Sequence, residues 1–210
     1  MVRVSRVEQV RGRRIRIILD DDSAYLLLRS AYQERPLLEG DTVDPAEFSQ
    51  WVLTHQYRSA LDKAVSMLAV RACSKGEISQ KLRRIGYAQE TVEMVLYKLE
   101  KEGFLDDSAF AAQWTAYRAD QKYGPRRIAQ ELRFKGVGTE EMESAISEIS
   151  EDQQLESAVL LARKALRRCD ADEDARKKRQ KITGAIVRRG FSWDLARQAC
   201  DRVLGEEDDD

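Results

Sequence analysis

The residues of this chain best suited to chemistry are cations, and they fall into two groups. Arg118, Lys122, Arg126, Arg127, Arg133 and Lys135 form the first, with Tyr117 and Tyr123 between them. Arg176, Lys177, Lys178, Arg179 and Lys181 form a tighter second block, and Arg188 and Arg189 follow one or two helical turns later. Cations interleaved with aromatic rings suit a phosphate backbone or an acidic protein face. The competing explanation is a solvated helix surface, and Asp170, Asp172, Glu173 and Asp174 are placed to neutralise part of the second block. Arg126 and Arg127 directly follow Gly124-Pro125, where a helix is expected to start, so free backbone N–H groups there would add to an anion site.

Catalytic chemistry finds no such support. His55 is the only histidine, so neither a histidine acid–base pair nor a histidine zinc site can be assembled. Asp106-Asp107 reads as a helix start, with Asp107 as N-cap of a helix beginning at Ser108. Cys73, Cys169 and Cys200 lie on or beside apolar stripes without paired spacing, which fits buried thiols in a reducing compartment. No phosphate-cradling glycine loop is present. The residues therefore assign no catalytic, cofactor-binding or metal position. No cofactor and no enzymatic activity are expected. Trp51, Trp114 and Trp193 are read as packing residues, Trp193 partly exposed near a helix start.

What positions the cations is a repeat. Gly86-Tyr87, Gly136-Val137 and Gly190-Phe191 each end one apolar helical stripe and precede another. Eight and four residues before the glycines stand Ile78 and Leu82, Ile128 and Leu132, Ile182 and Ile186. After them come Val92, Val95 and Leu99, then Met142, Ala145 and Ile146, then Ala196, Ala199 and Cys200. The glycines are 50 and then 54 residues apart, which means one helical unit copied in series. Ser74-Lys75-Gly76-Glu77 has the pattern of a capping box, and Asp44-Pro45-Ala46-Glu47 opens an earlier helix. Each unit reads as three helices.

The first 43 residues have a different texture. Ile15, Ile17 and Leu19 alternate with other side chains, Arg11-Gly12-Arg13 can turn the chain, and Asp20 to Ser23 can turn it again. A sheet of two or three strands is expected, left through a loop marked by Pro36 and Gly40. The stretch from Val2 to Ile18 carries six arginines against Glu8, and the end of the chain, Glu206 to Asp210, is purely acidic. Hydrophobic content of 42% supplies cores, while 35% charged residues suits thin, exposed helical modules. No apolar run approaches a membrane span, and the arginine-rich start lacks a signal-type apolar core, so a cytoplasmic protein is expected.

These readings give a mainly α fold: three tandem three-helix repeats in an elongated array behind a small N-terminal β element. The expected bounds are 1–43 for the strands, 44–57 for a linking helix, and 58–105, 106–151 and 152–204 for the repeats. A disordered acidic tail is expected over 205–210.

Particular residues also resemble a known family. Gly103-Phe104-Leu105-Asp106-Asp107 followed by Phe110-Ala111, and Tyr123-Gly124-Pro125-Arg126-Arg127-Ile128 followed by Glu131-Leu132 and Lys135-Gly136, look like elements of the RecX family. Ile78 to Leu82, ending at Gly86, is similar to the family's opening helix pattern. The resemblance runs from about Leu61 to Ile149 and weakens in the third unit. It implies a regulator of the RecA recombinase that binds the RecA–DNA filament and suppresses ATP hydrolysis, strand exchange and coprotease activity. It also implies contact with single- and double-stranded DNA through or beside that filament. No membrane partner is expected, and the chain is expected to be a monomer. The cations of the second and third units are the expected contacts. A helix-turn-helix regulator acting directly on duplex DNA is the alternative.

Overall fold

A computed structural model describes residues 1–170 and 172–208, the last three by their backbone alone. It divides into two compact units, Met1–Leu105 and Asp106 onward.

The first unit opens with a sheet of order β3-β2-β1-β4, made of β1 (Val2–Val10), β2 (Arg14–Leu19), β3 (Ala24–Leu28) and β4 (Thr42–Val43). Alternation along β2 sends Ile15, Ile17 and Leu19 inward, where they pack with Val4, Leu27, Phe48 and Val52. Gly12 and Arg13 turn β1 into β2 with φ of 80° and 59°. The fourth strand exceeds the two or three expected: Val43 pairs with Val2 on β1, and two residues are too few to show alternation. A short helix, α1 (Arg29–Glu34), follows β3 directly, and no side chain caps its start. A strand running into an uncapped helix leaves no sequence signal. Glu34 holds it to the next helix through a 2.9 Å contact with Nε2 of His55.

That next helix, α2 (Pro45–Leu68), is unbroken, with Asp44 accepting from the Glu47 amide at its start. The expected division between a linking helix and a first repeat at 57/58 falls inside it. Neither glycine nor proline interrupts residues 46–68, so one helix serves two cores. Its first half packs on the sheet through Phe48 and Val52. Its second half, with Ala60 and Ala64, covers α3 (Lys75–Ile85) and α4 (Gln89–Lys101) through Ile78, Leu82, Val92, Val95 and Leu99. Gln56 sits buried at the joint. Its amide donates to the Leu26 carbonyl at 2.8 Å and accepts from the Ala88 amide at 3.0 Å and the Thr91 hydroxyl at 3.2 Å. A buried polar group so satisfied fixes the sheet to the helices without a desolvation penalty.

The second unit holds two three-helix repeats: α5 (Asp107–Asp120), α6 (Pro125–Phe134), α7 (Thr139–Ser147), then α8 (Glu151–Leu166), α9 (Ala175–Arg188), α10 (Trp193–Asp208). Ile78, Ile128 and Ile182 are fully buried on α3, α6 and α9, at equivalent places in the middle helix of each repeat. The expected capping box at Ser74 is present. Asp106, not Asp107, caps α5, accepting from the Ala109 amide at 2.9 Å. Asp107 is instead the first helical residue and is buried. Either neighbour satisfies the capping pattern, and only the backbone turn decides between them. The last helix continues to Asp208, so most of the tail expected to be disordered is helical; Asp209 and Asp210 lie outside the described residues.

The two repeats of this unit lock together at two glycines. The Gly124 amide donates to the Arg189 carbonyl at 2.9 Å, and the Arg126 amide to the Gly190 carbonyl at 3.1 Å. A Cβ on Gly190 would lie 2.4 Å from Cβ of Arg127 and 2.5 Å from its amide nitrogen, and one on Gly124 would lie 2.5 Å from the Gly190 carbonyl carbon. Backbone meets backbone here, and no larger residue fits.

Candidate interaction surface of the second and third repeats

The α6 start does not offer an anion site. Of its first amides, that of Arg126 is taken by the Gly190 carbonyl, and those of Arg127 and Ile128 by the Gly124 carbonyl. Pro125 has none to give. The anion pocket expected beside Arg126 and Arg127 is therefore closed by the turn after α9.

The cations of the second repeat divide sharply. Arg118 reaches across from α5 to Glu131 on α6 with a two-pronged grip, Nε to Oε2 at 2.7 Å and Nη2 to Oε1 at 2.5 Å. The pair is largely buried, with side chains 15% and 17% exposed. Arg127 joins it from one helical turn away at 3.1 Å, and the Trp114 indole donates to the same carboxylate at 3.2 Å. Burial pushes the Glu131 carboxyl up, but the hydrogen bonds from Arg118 and Arg127 outweigh it and hold the group below its ordinary range. Hydrogen bonding to Glu131 holds the Arg118 guanidinium above its own.

The aromatic rings are occupied as well. Tyr123 has the guanidinium of Arg118 at 3.8 Å from its centroid and that of Arg189 at 4.5 Å. Lys135 stands 4.0 Å from the Trp114 ring and 5.6 Å from that of Phe110. Tyr123 is therefore already engaged by two guanidinium groups. Lys122 holds the turn between α5 and α6 with φ of 61° and is half-buried. Arg126 and Arg133 remain as exposed cations on α6.

The third repeat is more open. Asp174 caps α9, accepting from the amides of Arg176 and Lys177. Arg179 is paired with Asp201, and Lys181 with Glu173 at 2.6 Å, so the acids before the block neutralise part of it. Lys178 is half-buried with a partner of its own. Arg176, Lys177 and Arg188 stay exposed. Lys177, Lys181, Gly184 and Arg188 share one face of α9, and Trp193 at the start of α10 stands beside them, 52% exposed. With Glu173 and Gln180 they line a shallow groove of about 530 Å³. An exposed indole among cations, which the second repeat lacks, is the part of this surface that can still meet a polyanion.

Comparison with known proteins decides the family. Models of the first, second and third three-helix domains of RecX match residues 60–107, 106–146 and 151–200. The chain belongs to the RecX family. A regulatory protein RecX of Chlorobaculum tepidum is 34% identical over 150 residues, covering 71% of this chain and 91% of that one. The regulatory protein RecX of Limosilactobacillus reuteri is 29% identical over 211 residues, covering 99% of this chain and 79% of that one. A crystal structure of regulatory protein RecX superimposes with a TM-score of 0.66 at 28% identity, covering 96% of this chain and 100% of that one. The structure of RecX from Lactobacillus salivarius, at 22% identity and a TM-score of 0.65, shares the fold.

Within this RecX-family chain, the expected contact residues thus separate by environment. Arg118, Tyr123, Arg127, Lys135 and Arg189 hold the second unit together, while Arg126, Arg133, Arg176, Lys177 and Arg188 face outward. The residue whose role sequence reasoning missed is Glu131. Its spacing of four from Arg127 was the available signal; its grip on Arg118 crosses between helices and left none. Among the described residues, no group of histidine, cysteine and carboxylate side chains is arranged to hold a metal. No helix among them is long and apolar enough to cross a membrane.

Proposed function

We propose that this RecX-family regulator binds filaments of the RecA recombinase on DNA and modulates them, chiefly by inhibiting ATP hydrolysis, strand exchange and coprotease activity. It works without catalysis of its own, as a monomer in the cytoplasm. The observation that carries this reading is the α9 groove, where Lys177 and Arg188 flank the exposed Trp193. Family membership supports the recombinase as the partner in this reading. Arg126 and Arg133 are exposed cations on α6, and weak contacts made by linked repeats add through effective concentration.

The test is co-sedimentation with recombinase filaments assembled on single-stranded DNA, set beside the same strand alone. The intact chain should pellet with the filament and lower its ATP hydrolysis. Lys177→Glu with Arg188→Glu should lose most of that association, more at low salt than at high, because exposed charges are screened within about 8 Å at physiological ionic strength. Equal pelleting of the intact chain with filament and bare strand would reject the filament as partner. Tight binding to one duplex sequence would favour the direct DNA-binding alternative.

A further inference from the structure

The first 29 residues contain seven arginines and no lysine: Arg3, Arg6, Arg11, Arg13, Arg14, Arg16 and Arg29. The sheet gathers most of them. Residues paired across antiparallel strands share a face. Glu8 is opposite Arg16, Arg16 opposite Leu26, Val10 opposite Arg14, and Arg14 opposite Leu28. The face away from the Ile15, Ile17 and Leu27 core therefore carries Arg6, Arg14 and Arg16. At the β1–β2 turn it continues into Arg11 and Arg13, and the Arg13 carbonyl accepts from the Arg29 amide at 2.8 Å.

The same face meets the first repeat. Gly86, at the end of α3, packs so closely on the sheet that a Cβ there would fall 2.0 Å from a Leu26 methyl and 3.1 Å from the Arg14 guanidinium. Arg83 and Arg84 immediately precede Gly86 and are exposed, with Arg84 at most about 7 Å along the backbone from it. Two elements distant in sequence thus bring their arginines to one edge.

Carboxylates do not balance them. Glu8 is the acid on this face and it pairs with Arg16 at 2.9 Å. Asp20, Asp21 and Asp22 lie in the opposite turn, after β2. Among the described residues, Arg11, Arg13, Arg29, Arg83 and Arg84 make no ion pair. The patch is therefore polarised, basic at one end of the hairpin and acidic at the other.

We infer that this edge, from the β1–β2 turn across Arg14 to the end of α3, is a binding site for the phosphate backbone of duplex nucleic acid, read without regard to sequence. Guanidinium forks match phosphate oxygens two at a time, which a lysine cannot do. The choice of duplex over single strand follows from what surrounds them. A single strand is held chiefly by stacking on aromatic rings, and the residues beside the arginines on this face are Val10, Ile18, Leu26 and Leu28. The aromatic Tyr25 points to the core, edge-on to Phe48. The site is separate from the α9 groove and does not depend on the proposed recombinase contact.

Arg11, Arg13, Arg29 and Arg84 changed together to Gln in the full chain test it, with no recombinase present. Fluorescence anisotropy is read on a labelled duplex of arbitrary sequence and on its single strand, over a series of salt concentrations. The thermal melt should match the parent. Duplex affinity should fall about tenfold or more, and the slope of log affinity against log salt should flatten by about 0.9 for each phosphate no longer neutralised. The all-lysine version should recover most of the slope. Unchanged duplex affinity and slope in a folded variant would overturn the site. Weakened binding of the single strand alone, or displacement of duplex by poly-glutamate at equal charge, would overturn the choice of duplex phosphate.

Discussion

In the second unit, Arg118, Arg127 and Lys135 of the second repeat and Arg189 of the third lie against Glu131, Trp114, Phe110 and Tyr123, whereas Arg11, Arg13, Arg29 and Arg84 at the sheet edge make no ion pair among the described residues. The two stretches are equally basic on paper. One is turned inward because a single acid on α6 is within reach of two helices, and because the α6 start is filled by the turn after α9. The other is turned outward because Glu8, the acid on its face of the sheet, serves one of its arginines, Arg16. A run of arginines thus says little about function until the acids within one helical turn, or one strand away, have been placed.

The largest effect should come from opening the closed side. Gly190→Ala puts a methyl into the Arg127 backbone and strains a residue at φ 97°. Left-handed strain and a clash that cannot relax together should cost roughly 2–4 kcal/mol in chemical denaturation. Gly103→Ala is the control: its φ is 77°, but nothing lies within 4 Å of the new methyl. It should cost only the backbone strain, about 1 kcal/mol. Equal destabilisation at the two sites would mean that the repeats do not meet through this turn.

Much of this was readable beforehand. Gly86, Gly136 and Gly190 sit at fixed offsets from apolar stripes because a helix that must stop and reverse needs a left-handed residue, and all three have positive φ. The buried isoleucines follow from the same register. The continuity of α2 was not readable, since a helix shared by two cores has the same periodicity as two helices joined without a break. Nor was the split among the cations, because Arg118 and Glu131 are 13 residues apart on different helices. The arginines of the sheet are evident in the sequence, but their meeting with Arg83 and Arg84 depends on Gly86 packing against Leu26, a contact between segments 60 residues apart.

A middle-sized effect should come from Glu131→Gln. Arg118 and the Trp114 indole lose their ionised acceptor in a largely buried setting, at a cost of roughly 1–3 kcal/mol. The freed arginines should at the same time raise polyanion affinity, which moves this region toward the behaviour of the sheet edge. The acid limb of the stability profile gives a second reading. The folded pKa of Glu131 is lowered, so its contribution is fully present above the ordinary value of 4.5 and is lost as pH falls through the folded value beneath it. Parent and variant should converge in stability below that range and separate above it. A constant difference at every pH would show that the carboxylate's charge is not what holds Arg118.

The smallest effect, and the finest discrimination, lies in Glu8→Gln. The Arg16–Glu8 pair has the same chemistry as Arg118–Glu131, but its side chains are 49% and 35% exposed. Water already solvates both partners, so removing the charge should cost less than about 1 kcal/mol. Its consequence should instead appear in binding. Arg16 shares the outer sheet face with Arg14, and with Glu8 neutral it adds a cation to the edge. The salt slope for duplex DNA should then steepen by up to about 0.9, the weight of one more neutralised phosphate. A drop in stability as large as that of Glu131→Gln would mean Arg16 is a buried structural residue like Arg118. The contrast between inward and outward arginines would then fail at the pair where it is most finely drawn.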